Sequence, residues 1–123
     1  MTDQLVSLKA FVQTLRVKLQ THAVRMPMRG NSMIPTIRPG QKVVITRKAP
    51  GEIKPRDIAL FVADERIILH RIIYKENIDG MMMFLTRGDN CDALDDWVVD
   101  ENAILGVSVA ATCDGSLLEI SSR

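Results

Sequence analysis

Ile58-Ala59-Leu60-Phe61-Val62, then Asp64-Glu65, then Arg66-Ile67-Ile68-Leu69-His70-Arg71-Ile72-Ile73-Tyr74-Lys75, is the stretch that decides the fold. The first run is apolar throughout and too short for a helix, so it reads as a fully buried strand. The second is longer and rich in isoleucine, whose branched Cβ suits pleated backbone better than helix. Asp64-Glu65 between them is a turn. Outward from this pair, Lys42 to Thr46, Met81 to Thr86, Ile104 to Ala111 and Leu117 to Ser121 also read as strands. Turn residues separate them at Ile37-Arg38-Pro39-Gly40, Asn77 to Gly80 and Cys113-Asp114-Gly115. Ala49-Pro50-Gly51 and Lys54-Pro55 frame a loop, and residues 88–97 form a polar one. Residues 24–29 are extended, and Pro27, with no N–H to donate, makes them an edge strand or a strand start.

Residues 3–20 read as a helix, because Leu5, Leu8, Val12, Leu15 and Leu19 recur at steps of three and four. Lys9, Gln13, Arg16 and Gln20 fall on the other side. The stripe is expected to dock on the sheet or on a partner, and a basic amphipathic helix can also lie on a membrane surface. One helix followed by closely spaced short strands predicts a mainly β domain, partly closed as a barrel or a sandwich. The division expected is residues 1–23 for the helix and 24–123 for the β domain.

At 123 residues the chain holds one domain, and 46% hydrophobic content argues against disorder. No apolar run of about 18 residues exists, and the N-terminus lacks a secretory-signal pattern, so a cytoplasmic or membrane-peripheral location is expected. Net charge is +1, but unevenly spread. Residues 1–51 carry nine Lys or Arg against one acid, Asp3, giving +8; residues 52–123 carry −7. Either the basic half meets an anionic partner, or the two halves interleave in one sheet and compensate each other.

Three stretches carry residues fit for chemistry. Ser32, in Gly30-Asn31-Ser32-Met33-Ile34-Pro35-Thr36, stands at a bend that glycine permits. A lone serine is a weak nucleophile and needs an adjacent base and an orienting group. His70 shares a strand face with Ile68 and Ile72. Burial there favours a neutral imidazole, which a general base must be, although a satisfied core histidine would look the same. The third stretch is acidic: Asp89, Asp92, Asp95, Asp96, Asp100 and Glu101. One of these aspartates could fix the histidine's tautomer, or all could form a solvated loop. Cysteines 91 and 113 and histidines 22 and 70 contain no short-spaced pair, so no metal site is expected. The glycines make no phosphate loop, and no cofactor or nucleic acid is expected.

In order, Ser32-Met33-Ile34-Pro35-Thr36, Leu69-His70-Arg71-Ile72 and Gly88-Asp89-Asn90 with Asp95 downstream resemble the boxes of the type I signal peptidases. Pro39-Gly40-Gln41-Lys42-Val43 and Arg56-Asp57-Ile58 resemble two connecting motifs, with Gln41 and Arg56 as departures. The likeness covers roughly residues 28–109. A histidine at the base position resembles the archaeal, endoplasmic-reticulum and sporulation-type members, whereas classical bacterial members and the SOS-repressor autoproteases use lysine. The resemblance implies a serine endopeptidase of signal-peptidase/SOS-repressor-like fold. In it Ser32 is the nucleophile, His70 the general base, Asp95 (or else Asp96) the orienting acid, and Asp89 shapes the site. It further implies an extended protein or peptide substrate with small residues beside the cut. Gly30 stands where many members carry a serine that helps hold the oxyanion, and no transmembrane anchor is expected. Two other readings stay open: a self-cleaving regulator like the SOS repressors, or a catalytically silent peptide-binding module of the same fold.

Overall fold

Residues 3–113 and 116–120 are described by the structure, a computed structural model, with side chains for residues 7–113, 116, 117 and 120. The expected Asp114-Gly115 turn, the strand end at Ser121 and the side chain of Leu5 lie outside these residues. Helix α1 spans Asp3–Leu19. Eight strands follow: β1 Val24–Pro27, β2 Lys42–Thr46, β3 Ile58–Ala63, β4 Arg66–Ile78, β5 Met81–Arg87, β6 Val99–Asp100, β7 Ile104–Cys113 and β8 Ser116–Glu119. All join one antiparallel sheet in the order β1-β2-β7-β3-β4-β5-β6, with β8 beside β7. The chain is mainly β, but the sheet is not closed into a barrel, because β1 and β6 at its two ends do not pair. Closure needs end strands long enough to share a ladder; β1 has four residues and β6 only two.

The hairpin that decides the fold forms at the expected place. Ala63 pairs with Arg66, and Asp64 and Glu65 both take positive φ, at 52° and 58°. Two left-handed residues are what a two-residue hairpin needs to follow the strand twist. The next turn is tighter than the Asn77 to Gly80 expected from sequence. Ile78 pairs with Met81, so β4 runs to Ile78 and only Asp79 and Gly80 turn. A bulge between Ile72 and Tyr74 shifts the register of β4 on β5. Strand β6 lies just past the polar loop and pairs Met83 and Phe84 with Asp100 and Val99; two residues give no readable period.

The sheet buries both faces. In β3, Ile58 and Leu60 join one core cluster while Ala59 and Phe61 join the other, the period of two that pleating imposes. Leu15 and Leu19 of α1 pack into the first cluster, beside Met33, Ile37, Val43 and Leu69. Arg16 ties the helix to the start of β7 by donating to the Asn102 and Ile104 carbonyls at 2.6 and 3.4 Å. The amphipathic stripe therefore docks on the sheet. No described helix is long and apolar enough to cross a membrane. The strands of the basic half, β1 and β2, lie together at one end of the sheet, so the two halves adjoin at the β2–β7 ladder and do not interleave; Lys48 pairs with Asp57 at 2.8 Å across the boundary.

Candidate active site

Ser32 stands in the bend that leaves β1. Gly30 takes φ 75°, and Met33 and Ile37 drive fully buried side chains beneath the bend. The loop after β5 clamps it from the other side. Asn90 donates its N–H to the Ser32 carbonyl at 2.8 Å and its side-chain amide to the Asn31 carbonyl at 3.1 Å. The Asp89 N–H points at the Met33 sulfur at 3.4 Å. Asp89 itself accepts from Arg71 Nε at 2.8 Å, from Arg71 Nη2 at 2.7 Å and from the Thr36 hydroxyl. Arg71 also donates to the Arg56 carbonyl at 2.7 Å. Asp89 thus joins β4 to the serine bend and makes no bond to His70. Burial pushes its carboxyl pKa upward, but the Arg71 and Thr36 hydrogen bonds and the charges of Arg71 and Arg87 outweigh that, so it titrates below its ordinary value.

His70 is 8% exposed, on the face of β4 that carries Ile68 and Ile72. Its ring stacks on Trp97 at 6.5 Å between centroids and meets the edge of Phe61 at 6.4 Å. Nδ1 lies 2.6 Å from Asp95 Oδ2. An ionised carboxylate only accepts, so Nδ1 carries the hydrogen and, in the neutral ring, Nε2 is left with its lone pair. Asp95 is held in turn. The same Oδ2 accepts from the Thr86 hydroxyl at 2.7 Å, and the Asp95 N–H donates to the Thr86 carbonyl at 2.9 Å. Thr86 Oγ1 accepts from Trp97 Nε1 at 3.1 Å. The result is a connected polar chain, Trp97 to Thr86 to Asp95 to His70, walled by apolar side chains. Every hydrogen bond in such a chain is stronger than in water, and leaving one unmade is costly. Of the three aspartates in question, Asp95 reaches the imidazole, Asp89 is committed to Arg71, and Asp96 is exposed.

Gly88 lets the two halves of the site approach. A Cβ at this position would lie 2.7 Å from the Ser32 carbonyl oxygen and 3.1 Å from His70 Nε2. The Ser32 main chain and the free nitrogen of His70 therefore border one point in space. The Cys91 sulfur borders it too, 3.0 Å from the same position. Among the described residues no hydrogen bond joins the Ser32 hydroxyl to His70, and no backbone acceptor takes the Ser32 N–H. No set of three or more described His, Cys, Asp or Glu side chains converges as a metal-holding group.

A groove of about 780 Å³ opens from this point, with Ser32 and His70 both on its wall. Two strand edges line it. β1 is bonded on one side only, to β2. β4 is bonded to β3 over Arg66 to Arg71, but β5 joins it only from Arg71 onward, so residues 66–70 keep one edge unpaired.

Sequence reasoning singled out Ser32, His70, Asp95 and Asp89, and missed Thr86 and Trp97 as supports of the histidine. Thr86 was legible in principle: in a period of two it follows Phe84 on one face of β5, a buried polar residue in need of a partner. Trp97 lies in an irregular loop and carried no signal. No family model matches the chain, and no curated protein matches it.

Proposed function

We propose that the chain is a serine endopeptidase with a signal-peptidase-like site, in which Ser32 attacks, His70 acts as general base and Asp95 orients the base. One observation carries this reading. His70 turns Nδ1 to Asp95, and its Nε2 shares the Gly88 gap with the Ser32 backbone at the wall of an open groove. A nucleophile and a base at one pocket wall, with an orienter bonded to the far side of the base, is the arrangement acyl transfer requires.

In this mechanism the Ser32 oxygen forms a bond to the substrate carbonyl carbon as its proton passes to His70 Nε2. The imidazolium so formed is stabilised by Asp95, which stays ionised. The oxyanion is met by backbone N–H groups at the serine bend, where the Ser32 N–H has no backbone acceptor among the described residues. His70 then returns the proton to the leaving amine, and the carbon–nitrogen bond breaks. Water, deprotonated by the same Nε2, then bonds to the acyl carbon; the bond from that carbon to the Ser32 oxygen breaks and the proton passes from Nε2 back to Ser32. The substrate lies extended along the unpaired edges of β1 and β4, which supply main-chain hydrogen bonds.

The absence of a hydrogen bond between Ser32 and His70 favours a second reading, a peptide-binding module without catalysis. Catalytic contacts often tighten only when substrate is bound, so reactivity discriminates better than resting geometry. Labelling with a serine-reactive acylating probe, read by intact mass, is expected for the wild type and lost in Ser32→Ala and His70→Ala. A folded wild type that stays unlabelled between pH about 6 and 9 would leave the binding module as the function.

A further inference from the structure

Much of the groove wall is apolar. Met26 and Met28 come from β1 and the segment after it, Val43 and Leu60 from β2 and β3, Ile67 and Leu69 from β4. About 780 Å³ is within the range that holds a drug-sized ligand. A methyl side chain would leave most of it without contacts, and an apolar hollow gains little from water. Two unbranched methionines in the wall adapt to varied shapes. The small residues that the family resemblance implies beside the cut do not match this hollow.

Charge narrows the occupant. Arg29 and Arg66 line the groove, and no carboxylate does. Arg66 meets Asp64 at 3.6 Å on the surface, while Arg29 has no ion pair among the described residues. We infer that the groove takes an extended peptide segment that places bulky aliphatic side chains in the methionine-lined hollow and an acidic residue against Arg29. A lone acyl chain with a carboxylate would match the apolar and cationic groups but leave the β1 and β4 edges unused. A peptide uses all three. The inference rests on the proposed function only in taking this groove as the substrate's place, and its test needs no catalysis.

Trp97, the single tryptophan of the chain, lines the groove and reports its occupancy by fluorescence. Ser32→Ala protein is titrated with short synthetic peptides that carry leucine or alanine at the central positions and aspartate or lysine beside them. The leucine–aspartate peptide is expected to bind at least about tenfold tighter than its alanine counterpart, because leucine buries more apolar surface in the hollow. It is also expected to bind tighter than the leucine–lysine peptide. Arg29→Glu should reverse the aspartate–lysine preference and leave the leucine–alanine preference intact. Equal binding of all peptides overturns the inference, as does a charge preference that Arg29→Glu does not move. Decanoate binding as tightly as the best peptide, together with no loss on N-methylating the peptide backbone, overturns the peptide assignment. If the preferences appear while wild type resists the acylating probe, the peptidase reading falls and this one stands. Labelling without the preferences does the reverse.

Discussion

His70 Nδ1 lies 2.6 Å from Asp95 Oδ2, although 25 residues separate the two in sequence. Because the same carboxylate oxygen also accepts from Thr86, the imidazole is held in one orientation, with Nε2 toward the Gly88 gap. Asp95→Asn keeps the shape but can present an N–H where an acceptor is needed. If His70 is a base, the rate of acylation by a serine-reactive probe should fall about 1,000- to 10,000-fold. Asp96→Asn, on an exposed neighbour, should leave that rate unchanged. The near-ultraviolet circular dichroism of Trp97 checks that both variants keep the fold around the ring. Equal rates for Asp95→Asn and wild type would remove Asp95 from the site.

Gly88→Ala tests how close the serine bend must come to β5 and the histidine. The new Cβ would meet the Ser32 carbonyl oxygen at 2.7 Å, and main chain cannot yield as a side-chain tip can. We expect a loss of about 1–3 kcal/mol in stability by urea unfolding. Labelling at Ser32 should fall by more than that stability loss explains, because the bend and the imidazole are pushed apart. A variant of wild-type stability and labelling rate would show that the bend moves freely.

Asp89 ties stability to pH. Burial raises its pKa, but Arg71, Thr36 and Arg87 lower it further, so the folded value lies below the unfolded one. Its contribution is therefore full above the unfolded pKa of about 3.9 and is lost as pH falls through the lower, folded value. Urea midpoints should decline as pH drops below about 4. Asp89→Asn should cost about 3 kcal/mol at pH 7, since the buried Arg71 loses its counter-charge, and should flatten the acid limb. An acid limb unchanged by Asp89→Asn would assign it to other carboxylates.

Much of the local structure was legible. Residues 58–75 announce their hairpin through an apolar run, a two-residue turn and an isoleucine-rich strand. Pro27 marks β1 as an edge strand, and β1 does lie at the end of the sheet. The face His70 shares with Ile68 and Ile72 follows from alternation. The mainly β class was legible, but spacing suggests a partly closed barrel or a sandwich, whereas the sheet is not closed into a barrel; spacing counts strands without saying whether the first and last are long enough to pair.

Local pattern thus determined the helix, most strands and the three stretches that carry polar chemistry, because backbone periodicity and turn conformations are properties of neighbouring residues. Tertiary structure alone decided that Asp95 rather than Asp96 meets His70 and that Asp89 serves Arg71. It also decided that Gly88 is the residue between Ser32 and the imidazole. Those outcomes depend on where a bend near residue 32 and a loop near residue 90 come to rest on the sheet. A shift of one residue in either would turn different side chains inward, and the packing of Met33, Ile37 and Trp97 against the core, together with the Asn90 and Asp89 hydrogen bonds to the bend, holds the arrangement that is adopted.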